Sequence, residues 1–307
     1  MPVIRTIVCP TDHSTPARLA CEQALYLAEQ FGAHLQVVHV APPGADLSPG
    51  SAKGAQASVS EEIERWLIQQ AEKTAVAFSY GEVLGASPAD AICRVATAHE
   101  ADLLVMGMRD HRERSVLCQR SITTHVVQHA PCPVWVARPR KTRAVERVLV
   151  PIDFYEASLA AFDRGQALAQ HWGAELMLLH VVEPAFQAGF VYAGTEGDTA
   201  RERVVRGAVE RLRPYAESAR TAGVGRVTVH VRVGYPGVDI NAFAEEHEVD
   251  LMVLPTHGRS CDWRLPLGSV ADRILQRQAC PLYMLHTRDS VRSAVPQDPR
   301  AARMETA

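Results

Sequence analysis

The chain has 307 residues, 47% of them hydrophobic and 22% charged, with 32 Lys and Arg against 35 Asp and Glu for a net charge of −3. That balance excludes a broad basic footprint for nucleic acid, and no apolar run approaches the ~20 residues a membrane-spanning helix needs. At roughly 150 residues per domain the length suggests two domains, each large enough to close its own core.

In chain order, apolar strands alternate with longer amphipathic stretches, the pattern of βαβ units around a parallel sheet. The N-terminal MPVIRTIVCPTD enters a strand at 6–9 directly, without a signal-peptide core. Pro-x-Asp follows, then a helix with Pro16 near its first turn and Gly32 at its end. The first half continues with a strand at 35–40, a Gly/Pro-rich loop at 41–58, a helix at 61–76 and a strand at 80–84. A helix at 88–98, a strand at 103–106, a helix at 121–129 and a strand at 134–137 complete it. A linker is expected at 139–146, between domains at 1–138 and 147–288. The second half opens with a strand at 148–150, a helix stopped by Gly173, a strand at 176–182 and a loop at 183–198. Then come a helix at 200–221, a strand at 227–233, a helix at 236–247, a strand at 251–254, a helix at 269–277 and a strand at 282–285. The polar, aperiodic stretch 289–307 reads as a disordered tail.

The two halves are one pattern written twice. IVCPTDHSTPA at 7–17 matches VLVPIDFYEAS at 148–158, and LQVVHVAP at 35–42 matches LMLLHVVE at 176–183, both at an offset of 141. HEADLLVMGM at 99–108 matches HEVDLMVLPT at 247–256, and SITTHVVQHAPCPVWVA at 121–137 matches SVADRILQRQACPLYML at 269–285, both at 148. The seven cysteines (Cys9, Cys21, Cys93, Cys118, Cys132, Cys261 and Cys280) are scattered without a C-x-x-C pair. That usage suits a reducing compartment, so a cytoplasmic location is expected.

In open parallel sheets the ligand crevice lies beyond the strand C-termini. In the second repeat the segment after the fourth strand reads PTHGRSCDWRLPLGSVADRI, with Gly258, nine intervening residues, then Gly268-Ser269 opening a helix. Glycines let a backbone approach a phosphate, and a helix N-terminus offers unpaired N–H groups and a positive dipole end. Ser269 can add a hydroxyl and Arg259 a cation. A glycine pair before a helix is equally the mark of a structural turn. Asp153 could bind ribose hydroxyls or cap the following helix.

The block order Pro-x-Asp, Leu-His-Val, DL-V---HGR-x8-GSV and CPV-V resembles the universal stress protein family in a tandem two-domain form, over about residues 3–287. The resemblance implies two Rossmann-like (adenine nucleotide alpha hydrolase-like) α/β domains, each a five-stranded parallel sheet with helices on both faces. It implies a cytoplasmic stress-response regulator that binds ATP, or ADP or AMP, with Mg²⁺ and one site per chain. Pro151, Ile152 and Asp153 would meet ribose and adenine, and the backbone of Val181 would read the adenine edge. Gly258, Arg259, Gly268, Ser269 and Val270 would hold phosphates, with Leu254, Pro255 and His257 completing the wall.

Both repeats depart from the family motif G-x2-G-x9-G-[ST]. Its first glycine is Pro255 in the second repeat, which has no N–H to give. The first repeat keeps Gly107 and Ser121 but has Asp110 and Arg120 in place of the other two glycines. Arg109, Arg112, Arg114 and Arg120 could offset Asp110, but a solvated loop explains them better, and the first repeat reads as a degenerate, structural half. Enzyme motifs (P-loop, G-x-G-x-x-G, G-x-S-x-G, H-E-x-x-H) are absent from the sequence, and a receiver-type acidic cluster beside Asp12 is missing. His125 and His129 read as surface residues, and Cys132 and Cys280 as duplicated packing. Two function classes stand: a nucleotide-binding regulator read by a protein partner, or a nucleotide-independent scaffold. Weak ATP hydrolysis or self-phosphorylation at Ser269 is a minor third. Which holds turns on whether Pro255 and the Trp263 loop leave the crevice open. The final strands PVWVA and PLYML are expected to pair antiparallel within the chain as a pseudo-dimer, with a homodimer of the whole chain also open.

Overall fold

The computed structural model describes residues 3–44, 65–70, 73–108, 121–139, 144–183, 197–258 and 267–286. The two loops, the linker centre and the tail anticipated above lie mainly outside these residues. Among the described residues, the first half holds β1 (Thr6–Thr11), α1 (Thr15–Phe31), β2 (His34–Ala41), a helical segment at 65–70, β3 (Phe78–Leu84) and α2 (Pro88–Ala98). It closes with β4 (Leu103–Gly107), α3 (Ile122–His129) and β5 (Val134–Ala137). The second half holds β6 (Arg147–Pro151), α4 (Glu156–Trp172), β7 (Glu175–Val182), α5 (Gly197–Thr221), β8 (Val227–Val233), α6 (Pro236–Glu246), β9 (Leu251–Pro255), α7 (Ser269–Arg277) and β10 (Leu282–Leu285).

All ten strands lie in one sheet, ordered β3-β2-β1-β4-β5-β10-β9-β6-β7-β8. Within each half the strands are parallel. At the centre β5 and β10 pair antiparallel, with Trp135 opposite Tyr283. The intramolecular pairing expected from the sequence is therefore present. It removes two apolar edges that would otherwise invite pairing between chains. Side chains alternate along β5: Val134 and Val136 join one core, Trp135 and Ala137 the other. Both cores run through both repeats, one on each sheet face, which is why the strands read as continuous apolar runs. The Trp135 indole donates to Gln23 Oε1 at 2.7 Å, so its N–H is satisfied although the side chain is fully buried.

The prolines of Pro-x-Asp sit inside the strands, not after them. Pro10 pairs in register with Val38 and Pro151 with Leu179 at the ends of β1 and β6, where a fixed φ suits extended backbone. Gly32 and Gly173 end α1 and α4 in the left-handed conformation, at φ 62° and 64°. A device not foreseen from the sequence anchors the opposite end of each repeat. Asp102 Oδ2 accepts from the amides of Arg5 and Thr6 at 2.8 and 3.0 Å, and Asp250 Oδ2 from those of Glu146 and Arg147 at 2.9 and 3.0 Å.

Candidate functional site

At the C-terminal ends of β6, β7 and β9 lies a crevice of about 250 Å³. Its walls are Pro151, Ile152 and Asp153 after β6, His180, Val181 and Glu183 at the end of β7, Leu254, Pro255 and Gly258 at β9, and Gly268, Ser269 and Val270 at the start of α7. Leu179, Ile240 and Ile274 make an apolar floor. The structure thus brings together the residues singled out in the sequence, apart from three. His257 does not line the crevice, and its Nδ1 lies 3.1 Å from Thr256 Oγ1. Arg259 and Trp263 lie outside the described residues, as do Arg109, Asp110, Arg112, Arg114 and Arg120.

The turn after β6 is built around Phe154, which adopts a left-handed φ of 66°. A bulky residue rarely does so, and packing holds it there. Its ring lies against His180 at 4.7 Å, with the Arg211 guanidinium 3.8 Å from the ring centre. His180 Nδ1 in turn meets the Ile152 carbonyl at 2.7 Å. Asp153 does not act as the helix N-cap. That position belongs to Tyr155, whose side chain makes no cap bond. Instead Asp153 Oδ1 accepts from the Tyr155 amide at 3.1 Å, an Asx-type turn ahead of the helix. Ser158 secures the same turn: its hydroxyl donates to the Tyr155 carbonyl at 2.9 Å and accepts from the Asp153 amide at 3.3 Å. The other carboxylate oxygen faces Gly258, where a Cβ would stand 3.2 Å from it.

Across the crevice, α7 begins with Gly268 as N-cap and no side-chain cap bond. The Gly268 amide donates to the Thr256 carbonyl at 2.9 Å, and a Cβ at 268 would sit 3.5 Å from the Gly258 nitrogen. The two glycines therefore stand face to face before a helix start that carries the orphan N–H groups and positive dipole end of any helix. Pro255 costs the sheet nothing. Met252 and Thr256 donate to Pro281 and Leu285 across the β9–β10 ladder, so by the period of two, position 255 faces away from β10.

At the matching strand and helix ends of the first repeat, the described residues make contacts among themselves. A Cβ on Gly107 would meet the Pro16 carbonyl oxygen at 2.2 Å. Thr123 Oγ1 donates to the Gly107 carbonyl at 2.9 Å, and Ser121 caps α3 by accepting from the Thr124 amide at 2.9 Å. Ser121 is thus an N-cap, and α3 starts one residue later than the sequence suggested. His13 repeats the left-handed turn at φ 64°, its ring 4.5 Å from His39. Burial, and then the neighbouring His39, hold the His13 pKa below its ordinary value. The other constellations are satisfied structurally. His125 Nε2 pairs with Asp90 at 3.1 Å and His129 Nδ1 meets the His125 carbonyl at 2.8 Å. Among the described residues no group of three or more His, Cys, Asp or Glu is placed to hold a metal. The buried Cys9 and Cys21 sulfurs lie 3.5 Å apart; their hydrogen bond, then burial, raises Cys9 well above the ordinary thiol range, the reverse of an activated thiolate.

Sequence reading did not single out Ser158, Glu183 or Phe154. The repeat alignment held a signal for the first and last, since Ala17 and His13 occupy their places in the first repeat.

The model of the universal stress protein family matches residues 4–138 and again 144–286. A universal stress protein of Thermus aquaticus is 33% identical over 137 residues, 44% of this chain and 100% of that one. One from Methanocaldococcus jannaschii is 27% identical over 140 residues, 46% of this chain and 81% of that one. In solved structures, a universal stress protein from Archaeoglobus fulgidus shares the fold across 92% of this chain and 96% of its own, with a TM-score of 0.67 at 20% identity. A protein of unknown function from Pseudomonas aeruginosa does so across 95% and 96%, with a TM-score of 0.65 at 14% identity. Since the family model matches each half in turn, and each half folds as a parallel five-stranded sheet joined to its twin along the last strand, the chain belongs to the universal stress protein family.

Proposed function

We propose that the domain at 147–288 binds one adenine nucleotide (ATP, ADP or AMP, with Mg²⁺ on the longer phosphate chains), and that the domain at 1–138 is its structural counterpart. The observation that carries this is the uncapped start of α7, facing Asp153 across the glycine pair Gly258 and Gly268. Such a helix start attracts an anion. Asp153 would receive ribose hydroxyls, with Pro151 and Ile152 beside the sugar and base. The Val181 backbone would meet the adenine edge against Leu254 and the apolar floor. Gly258, Arg259, Gly268, Ser269 and Val270 would take phosphate. Pro255 removes a donor from that wall while leaving the crevice open on the described side. The function is regulation by binding, with the occupied domain read by a protein partner.

Denaturing freshly purified protein and quantifying the released nucleotide by chromatography and mass spectrometry tests this. About one adenine nucleotide per chain is expected, and Gly268→Arg, which drives a long side chain into the seat, should abolish it. No released nucleotide, together with no binding on adding Mg-ATP, would leave a scaffold with relic crevices.

A further inference from the structure

We infer that Cys9 and Cys21 are a redox-sensitive pair, which a hydroperoxide converts to an intramolecular disulfide that fastens α1 onto β1 in the first repeat. Cys9 lies in β1 and Cys21 in α1, twelve residues further along the chain. Both side chains are buried, and their sulfurs meet at 3.5 Å. A disulfide bond is about 2.05 Å long, so the two side chains must close by roughly 1.5 Å between them. Cys93, Cys132 and Cys280 pack on the other face of the sheet, which separates them from the pair. Cys118 and Cys261 lie outside the described residues. In the second repeat Val150 and Phe162 hold the corresponding places, so the pair belongs to the first repeat alone.

Selectivity here comes from proximity and not from an activated sulfur. Cys9 is held protonated by its partner and by burial, so the first attack waits for α1 to part locally from β1 and admit the oxidant. One sulfur, as its thiolate, then attacks the O–O bond of hydrogen peroxide. That bond breaks, the sulfur becomes a sulfenic acid, and the departing hydroxide takes up the thiol proton as water. The second sulfur attacks the first and expels the sulfenic hydroxyl, which leaves with the second thiol proton as another water. Two thiols and one peroxide thus give one disulfide and two waters, with two electrons passing from sulfur to peroxide. Because the second thiol is already 3.5 Å away, the sulfenic acid is captured before more peroxide carries it to the irreversible sulfinic acid.

The test treats native full-length protein with hydrogen peroxide, blocks the remaining thiols, and maps unreduced tryptic peptides by mass spectrometry. Cleavage after Arg18 separates the two cysteines, so the bond appears as peptides 6–18 and 19–53 joined. This link is expected to be the dominant disulfide, ~tenfold or more commoner than after the same treatment in denaturant, and reversed by dithiothreitol. The linked protein should also melt at a higher temperature than the reduced one, since the bond restricts the unfolded chain. Cys9→Val, which copies the second repeat, should abolish both effects. If the two peptides stay unlinked while other cysteines oxidise, or if the link is no commoner in native protein than in denaturant, the pair is plain packing and the proposal falls. An unchanged or lower melting temperature in the linked protein would overturn the fastening of α1.

Discussion

The two repeats share strand order, helix order and even a left-handed residue after the aspartate that follows the first strand, yet the residues at the matching strand and helix ends pack differently. The difference comes from exchanged small residues. In the first repeat Pro16 lies at the start of α1 and presses on Gly107 at the end of β4. In the second, the corresponding residues are Ala157 and Pro255, so the proline has moved from the helix to the strand. The helix starts show the same exchange. Ser121 and Thr123 cap and brace α3 from within, whereas α7 has Ser269 and Ala271 at those positions and starts one residue earlier, on Gly268, with no side-chain cap bond. A duplicated fold can therefore keep its strand and helix order while its strand-end contacts diverge. The Ser121 hydroxyl caps α3 in one copy, while the start of α7 in the other has no side-chain cap bond.

The most drastic way to probe this comparison is to separate the copies. Deleting residues 146–307 uncovers β5, with Val134, Trp135 and Val136 all fully buried in the whole chain. The isolated first repeat should dimerise through that strand or aggregate, as light scattering after size exclusion would show. A soluble monomer would mean that the seam is not what protects this edge. Next in size is a matched pair of glycine substitutions. Gly107→Ala forces a Cβ into the Pro16 backbone at 2.2 Å and should cost about 3 kcal/mol or more, since the obstacle is main chain that cannot swing aside. Gly268→Ala meets its neighbours at 3.5 Å and should cost about 0.5 kcal/mol or less, the usual range where no such feature is disturbed. Denaturant unfolding decides both. Equal costs would mean that Pro16 does not pack tightly on Gly107 in solution.

The smallest effect concerns pH. His13 has a folded pKa below its ordinary value near 6.5, so protonation opposes the fold. Its contribution is complete above that value and is lost as pH falls toward the folded pKa. The second repeat has Phe154 at that turn, and His13→Phe copies it into the first. Wild type should melt lower at pH 5.5 than at pH 7.5, and the variant should lose less. His230, also depressed by burial and by His247, keeps part of the slope in both proteins. An unchanged slope in the variant would assign the effect to groups elsewhere.

Much of this was legible in the chain. Offsets of 141 and 148 gave the duplication, apolar runs gave the parallel strands, and the apolar PVWVA and PLYML gave the seam, because side-chain period and burial are written directly in residue type. Most crevice residues were legible too, since Asp153, Val181, Gly258 and Gly268 fall at strand and helix ends. What escaped was contact chemistry. Whether Asp153 capped the helix depended on where α4 began, a matter of one or two residues that propensity cannot settle. Ser158 holds its turn through two hydrogen bonds that exist only once the helix is placed. The close approach of the Pro16 main chain to Gly107, which leaves no room for a Cβ, joins residues 91 positions apart in the sequence.

The central seam has one more consequence. Because β5 and β10 run in opposite directions, every strand of the first repeat points against every strand of the second, and the two strand-end openings look out from opposite poles of the molecule. A label or surface tether placed at the strand ends of the first repeat should therefore leave the crevice of the second repeat accessible.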